Sequence, residues 1–173
     1  PVASHLPMLV DRSEAGKEHI VGHMARANTQ WKSADGQPVL VIFSGPHAYI
    51  SPTWYAEENT VPTWNYTAVH AYGTLQVIEQ EDELLRIVAD TVQAHEGARP
   101  QPWKFDASTK LARDLVRMIV GFRIPISRLE GKWKLNQNHP QQRRARVIAA
   151  LEKSPRDEEQ AMAAMMRAVS SAT

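Results

Sequence analysis

The sequence predicts an α+β fold, with strands filling the first half of the chain and helices most of the second. Three observations predict it. β-Branched and aromatic residues crowd the stretches up to Leu75. From Glu81 apolar residues recur at helical spacing. Gly, Pro and Asp clusters punctuate the intervals. At 173 residues, 43% hydrophobic and 23% charged, the chain has the length and balance of one globular domain with a real core. A net charge of +1 argues against a protein that mainly coats nucleic acid or an anionic membrane. The absence of cysteine excludes disulfides, thiolate metal sites and a cysteine nucleophile, and fits the reducing cytoplasm. No apolar run approaches the ~18 residues of a membrane span.

Taken in order, residues 2–10 are apolar and read as a strand. A chain opening at Pro1 in mid-sheet looks shortened, because a strand needs a neighbour. A polar turn over 11–16 leads to a strand over 19–25, then a turn or helical piece over 26–31, closed by Asp35-Gly36-Gln37-Pro38. The run 39–43 reads as a buried strand, and Ser44-Gly45-Pro46 as the turn of a hairpin into 48–51. Residues 61–75 are rich in β-formers. Leu84, Leu85, Val88 and Val92 mark a helix up to Gly97, with acids at its start where the helix dipole favours them. After a loop over 99–106, Leu111, Leu115, Met118 and Ile119 predict a second helix ended by Gly121. Residues 122–129 read as a strand, with Pro125 suggesting an edge or bulge. Helices over 141–152 and 156–169 close the chain, Ser154 and Asp157 serving the N-terminus of the last, and the final four residues are expected to fray.

Five segments are too polar and too aromatic for simple core filling. They are Ser4-His5-Leu6-Pro7, Gly22-His23-Met24-Ala25-Arg26-Ala27-Asn28, and the stretches 45–55, 61–73 and 129–138. The third and fourth hold Tyr49, Trp54, Tyr55, Trp64, Tyr66 and Tyr72. Such residues offer an apolar face and one polar handle, which suits a flat heteroaromatic ligand; they suit a dimer interface equally well. His19 and His23 share a strand face but stand too far apart there to chelate one ion, so no metal is expected. No Gly-rich phosphate loop is present. A phosphate would fall to discrete groups, with Ser4, Arg26, Lys132 and Lys134 as candidates.

These five segments together resemble the PaiB family of FMN-binding transcriptional regulators, over residues 1–151. Thr29 stands where that family commonly has proline, and Asn136 where it commonly has serine. The resemblance implies a split β-barrel related to flavin reductases and pyridoxamine phosphate oxidases, with FMN at a homodimer interface. The expected organisation is a barrel over 1–139 with inserted helices over 81–120, and a helical segment over 140–173 packed on the same domain. The candidate FMN contacts in the five segments are Ser4, His5, His23, Arg26, Asn28, Ser51, Trp54, Trp64, Asn65, His70, Lys132, Lys134 and Gln137. A repressor would need DNA as a partner, and Arg143, Arg144 and Arg146 on a predicted helix are its candidate contacts. The alternative is an oxidoreductase that reduces FMN with a nicotinamide nucleotide. A minority reading replaces FMN by haem, with His5, His23 or His70 as axial ligand.

Overall fold

The computed structural model describes residues 2–14 and 16–170. Ala15, in the expected first turn, and residues 171–173, expected to fray, lie outside the described residues. β1 (Met8–Glu14) and β2 (Lys17–Ala25) form an antiparallel hairpin with Met8 opposite Gly22. Gly16 takes the left-handed turn position at φ 78°, which costs a glycine little. A short helix α1 (Gln30–Ala34) leads into β3 (Pro38–Ile50), a 3-10 turn over Pro52–Tyr55, and β4 (Thr63–Thr74). Then come β5 (Gln76–Ile78), α2 (Glu81–Glu96), α3 (Lys110–Val116), β6 (Ile119–Lys134), α4 (Gln141–Glu152) and α5 (Asp157–Ser170). The strand order is β1-β2-β6-β4-β3, with β5 also pairing β6. The α+β, split-barrel class expected from the sequence is the observed one.

The chain divides into two compact units, Pro1–Leu40 with Ala71–Arg128, and Val41–His70 with Leu129–Thr173. In unit 1, α2 and α3 bury Leu84, Leu85, Ile87, Ala112 and Val116 against Ile78. Gly121 of β6 lies under α2, where a Cβ would come within 2.8 Å of Leu84. In unit 2, α4 and α5 pack Val147, Leu151, Met162 and Met166 on Ile50, Tyr55 and Leu135.

Five expectations on elements are corrected. The first strand begins at Met8, not Val2; before it, Val2 and Ser4 are held by the side chains of Asn28 and Gln30 rather than by a strand partner. No hairpin forms at Ser44-Gly45-Pro46, and β3 runs straight through. β3 ends the strand order, where proline is tolerated, and Gly45 lets Thr67 of β4 press against the backbone. Gly121 does not end the second helix, which stops at Val116; it belongs to β6. That helix buries Ala112 and Val116, so Leu111, Leu115 and Met118, read as its core stripe, face outward at 68%, 54% and 67% exposure. Pro125 is not on an edge strand, since β6 lies between β2 and β4. It pairs with His19 at the end of the β2 ladder, where a missing N–H disrupts least.

Candidate cofactor-binding site

The predicted contacts fall five in unit 1 and eight in unit 2. In unit 1 the structure joins Ser4 with Asn28. Asn28 Nδ2 donates to Ser4 Oγ at 2.8 Å, and Ser4 Oγ donates to Gln30 Oε1 at 2.5 Å. Gln30 N in turn donates to Asn28 Oδ1 at 3.0 Å, and Gln30 Nε2 to the Val2 carbonyl at 3.1 Å. Arg26 closes on Glu79 at 2.7 Å and on the Arg117 carbonyl at 3.0 Å, with its guanidinium over the Trp31 ring. His5 is exposed. His23 is half-buried on β2 with its Nδ1 buried and unpartnered. Burial pushes its pKa below the ordinary imidazole value, so the ring is neutral at pH 7.

In unit 2, β4 alternates over residues 64–67. Asn65 and Thr67 face inward, while Trp64 and Tyr66 face outward at 49% and 40% exposure. His70 is half-buried on the Trp64 side of the strand. The His47 ring stacks on Trp64 with centroids 5.7 Å apart, and Tyr49 tilts against the same ring at 6.4 Å. This exposed aromatic face is the kind of surface that marks a ligand or partner site. Asn65, on the opposite face, is fully buried; its Nδ2 donates to Met166 Sδ at 3.4 Å, and its Oδ1 has no partner. Strand alternation thus separates Asn65 from Trp64, its neighbour in the candidate set.

Three other candidates hold structure. Ser51 Oγ accepts from Thr53 N and caps the 3-10 turn. Trp54 packs on the core. Gln137 bridges the end of β6, accepting from Leu135 N at 2.8 Å and donating to the Trp133 carbonyl at 2.7 Å.

Lys132 is exposed. Lys134 lines a cavity of about 210 Å³ with Tyr55, Thr63, Asn136, Asn138 and His139. Its Nζ donates to Thr63 Oγ1 at 2.8 Å. Tyr55 and Asn136 are 1% and 3% exposed, and the Tyr55 hydroxyl and Asn136 Nδ2 have no partner. Asn136 turns the chain at φ 59°, a region that Asn enters more readily than most residues. Arg143 Nη1 lies 3.0 Å from His139 Nδ1. A guanidinium only donates, so Nδ1 accepts and Nε2 carries the proton. Burial, then the Arg143 charge, holds the His139 pKa below its usual value.

The wall beside this cavity explains the basic group of α4. Ala56 takes a left-handed conformation at φ 52°, strained for alanine, and the next residue, Glu57, pairs with Arg143 and with Arg146. The bond from Arg143 holds the Glu57 carboxyl below the usual carboxylate range. Arg146 also donates to the Tyr55 carbonyl at 2.5 Å. Arg144 is half-buried with its Nε unpartnered. The three arginines therefore sit on one helix as expected, but two of them are tied into unit 2.

Sequence reasoning named Lys134 and missed the rest of the cavity. Tyr55, Thr63, Asn136 and Asn138 lay inside the segments quoted above. The legible signal was the run Asn136-Gln137-Asn138-His139, four hydrogen-bonding side chains directly after a strand.

Residues 1–128 match the family described as "Putative FMN-binding domain". The chain belongs to this FMN-binding family. It is 38% identical over 168 residues to the protease synthase and sporulation protein PAI 2 of Bacillus subtilis, spanning 96% of this chain and 80% of that protein. That relative makes the chain PaiB-type, as the five segments implied. It is also 29% identical over 202 residues to an uncharacterised protein of Emericella nidulans, spanning 95% of this chain and 80% of that one. Among solved structures, the FAD and heme binding protein of Mycobacterium smegmatis aligns with a TM-score of 0.51 at 16% identity. The alignment covers 87% of this chain and 66% of that protein, and shows a shared fold.

FMN is the cofactor of the family, and the residues fit its chemistry. A flavin needs a flat apolar platform and hydrogen-bond donors for a dianionic tail. The exposed rings of Trp64 and Tyr66 have the first character, and Lys134 with the neutral His139 Nε2–H has the second; Thr63, which lines the cavity with Lys134, shares the face of β4 opposite to Trp64. No described helix is long and apolar enough to cross a membrane.

Proposed function

We propose that this PaiB-type protein works as an FMN-binding homodimer and represses transcription. The observation that carries the homodimer is the exposed face of His47, Tyr49, Trp64 and Tyr66 in unit 2. A flavin ring resting there has water on its far side unless a second copy covers it. Two cavities lined by described residues of unit 2, at about 210 and 190 Å³, both fall below the roughly 300–1,000 Å³ of pockets that enclose ligands of that size. The regulatory part draws on the PAI 2 relative, whose name speaks of sporulation and protease synthesis.

In this reading Trp64 and Tyr66 orient the ring, and Lys134 and His139 hold the anionic tail. FMN, when bound, supplies its own hydride and electron chemistry; the protein's residues bind, orient and exclude water.

Light scattering at micromolar concentration tests the assembly, with a dimer expected and a stable monomer overturning it. Fluorescence quenching tests the ligand, with FMN expected to bind far more tightly than riboflavin. Repression is tested by operator binding of the FMN-loaded protein, whose affinity should fall with salt by about one unit of slope per phosphate contact. Flavin bleaching by NADH or NADPH at ~1 s⁻¹ or faster, with no DNA binding, would replace repressor by oxidoreductase.

A further inference from the structure

We infer that the cavity at the end of β6 is a phosphate site, built to take a phosphate monoester end-on through Lys134, Asn138 and His139. The family match ends at Arg128, so all three of these residues lie beyond it. The inference deepens the FMN reading and rests on it only for the identity of the ester.

Three features carry it. The first is charge. Lys134, Arg143 and Arg146 stand at or beside the cavity, and Glu57 is the acid paired with the two arginines. One carboxylate against three cations leaves the locality positive. The second is donor chemistry. Arg143 occupies His139 Nδ1, which fixes the proton on Nε2. Lys134 has one of its three N–H bonds on Thr63 and two left. Asn138 adds an amide. A phosphate offers acceptors to all of these, whereas a cation would meet mainly donors. The third is access. Lys134 and Asn138 are exposed and His139 is half-buried, so a small anion reaches this wall from solvent.

Size selects the ligand class. About 210 Å³ is several times the ~30 Å³ share of one water in the liquid, enough for a phosphate and a short ester arm. It is too small for a whole flavin nucleotide. Two sources share this chemistry, the phosphate tail of FMN and free inorganic phosphate, and competition separates them.

The test is calorimetric titration of the purified protein with inorganic phosphate, then with FMN in the absence and presence of saturating phosphate. Lys134→Met and Asn138→Ala are compared with the parent and with Arg26→Ala in unit 1, each checked for fold by circular dichroism. Phosphate should bind the parent, and Lys134→Met should weaken it at least about tenfold, the size expected of a charge-assisted hydrogen bond. Arg26→Ala should leave phosphate affinity unchanged. FMN displaced by phosphate identifies the tail as the occupant; FMN and phosphate bound together identify a separate anion. Phosphate binding without FMN binding would keep the cavity assignment and end the flavin one. No phosphate binding at millimolar concentration, or equal affinity in the parent and both cavity variants, overturns the proposal.

Discussion

The two units differ in how far their buried polar atoms are satisfied. In unit 1 the motif residues close on one another. Ser4, Asn28 and Gln30 form a bonded cluster, and Arg26 is occupied by Glu79 and the Arg117 carbonyl. In unit 2 more of the buried polar atoms are left open. The Tyr55 hydroxyl, Asn65 Oδ1, Asn136 Nδ2 and Arg144 Nε are all buried without partners. A buried polar atom without a partner destabilises the fold, so unit 2 carries more of this cost than unit 1, where His23 Nδ1 and Arg123 Nε are buried without partners. Residues chosen by the same sequence criterion thus do different work. Ser4, Arg26 and Asn28 of unit 1 brace a corner, while in unit 2 Lys134 lines a cavity, Trp64 joins an aromatic surface, and Ser51, Trp54 and Gln137 hold structure.

The sharpest way to break this contrast is to damage each core separately. Leu151→Ala in unit 2 and Leu84→Ala in unit 1 each remove a side chain at 0% and 2% exposure and should each cost about 2–5 kcal/mol. Urea unfolding followed by fluorescence and by circular dichroism measures both. Coincident shifts in the two signals would show one cooperative transition; separated transitions would show units that melt on their own.

Next in size is Gly73→Ala. A Cβ there would meet the Pro125 carbonyl backbone of unit 1, which cannot rotate away, so the substitution should cost about 1–3 kcal/mol. Thermal unfolding reads it. Ser4→Ala probes the closed cluster directly. It removes the partner of both Asn28 and Gln30 and should cost about 0.5–1.5 kcal/mol, with phosphate affinity unchanged. A loss of phosphate affinity there would erase the division of labour between the units.

The smallest effect is a pH dependence. His23 has its pKa lowered by burial in the folded state, so the unfolded chain binds more protons around and below pH 6.5. Its contribution to stability is therefore complete above the unfolded value and is lost as pH falls through the folded one. Replacing His23 with Gln should flatten this part of the stability–pH curve, measured by urea midpoints between pH 5 and 8.

How much of this was legible beforehand depends on the range of the signal. α4 was read to the residue, and α2 nearly so, because helical periodicity is local. β5 was missed, since three residues show no period. The hairpin at Gly45-Pro46 was read wrongly because Gly-Pro signals a turn locally, and only the close approach of Thr67, 22 positions on, shows why glycine stands there. The same limit governs the site. Lys134 was named as a phosphate candidate from its charge, but its cavity needs Tyr55 and Thr63, which only the fold brings to it. Arg143 and Arg146 looked like a free basic group because Glu57 is 86 residues from Arg143 along the chain.

The methionines of α5 have a consequence for oxidative chemistry. With no cysteine in the chain, thioether sulfur is its main target for peroxide. Met118, between α3 and β6, stands exposed at 67%, while Met162 and Met166 are at 0% and 1%. Sulfoxide should therefore form first at Met118, where it adds a polar group to open surface. At Met166 the same oxygen would have to fit beside Asn65, whose amide the sulfur already accepts, inside a packed core. Mild oxidation thus marks Met118 first and the half-buried Met8 and Met165 after it, while Met162 and Met166 stay covered until unfolding exposes their sulfur.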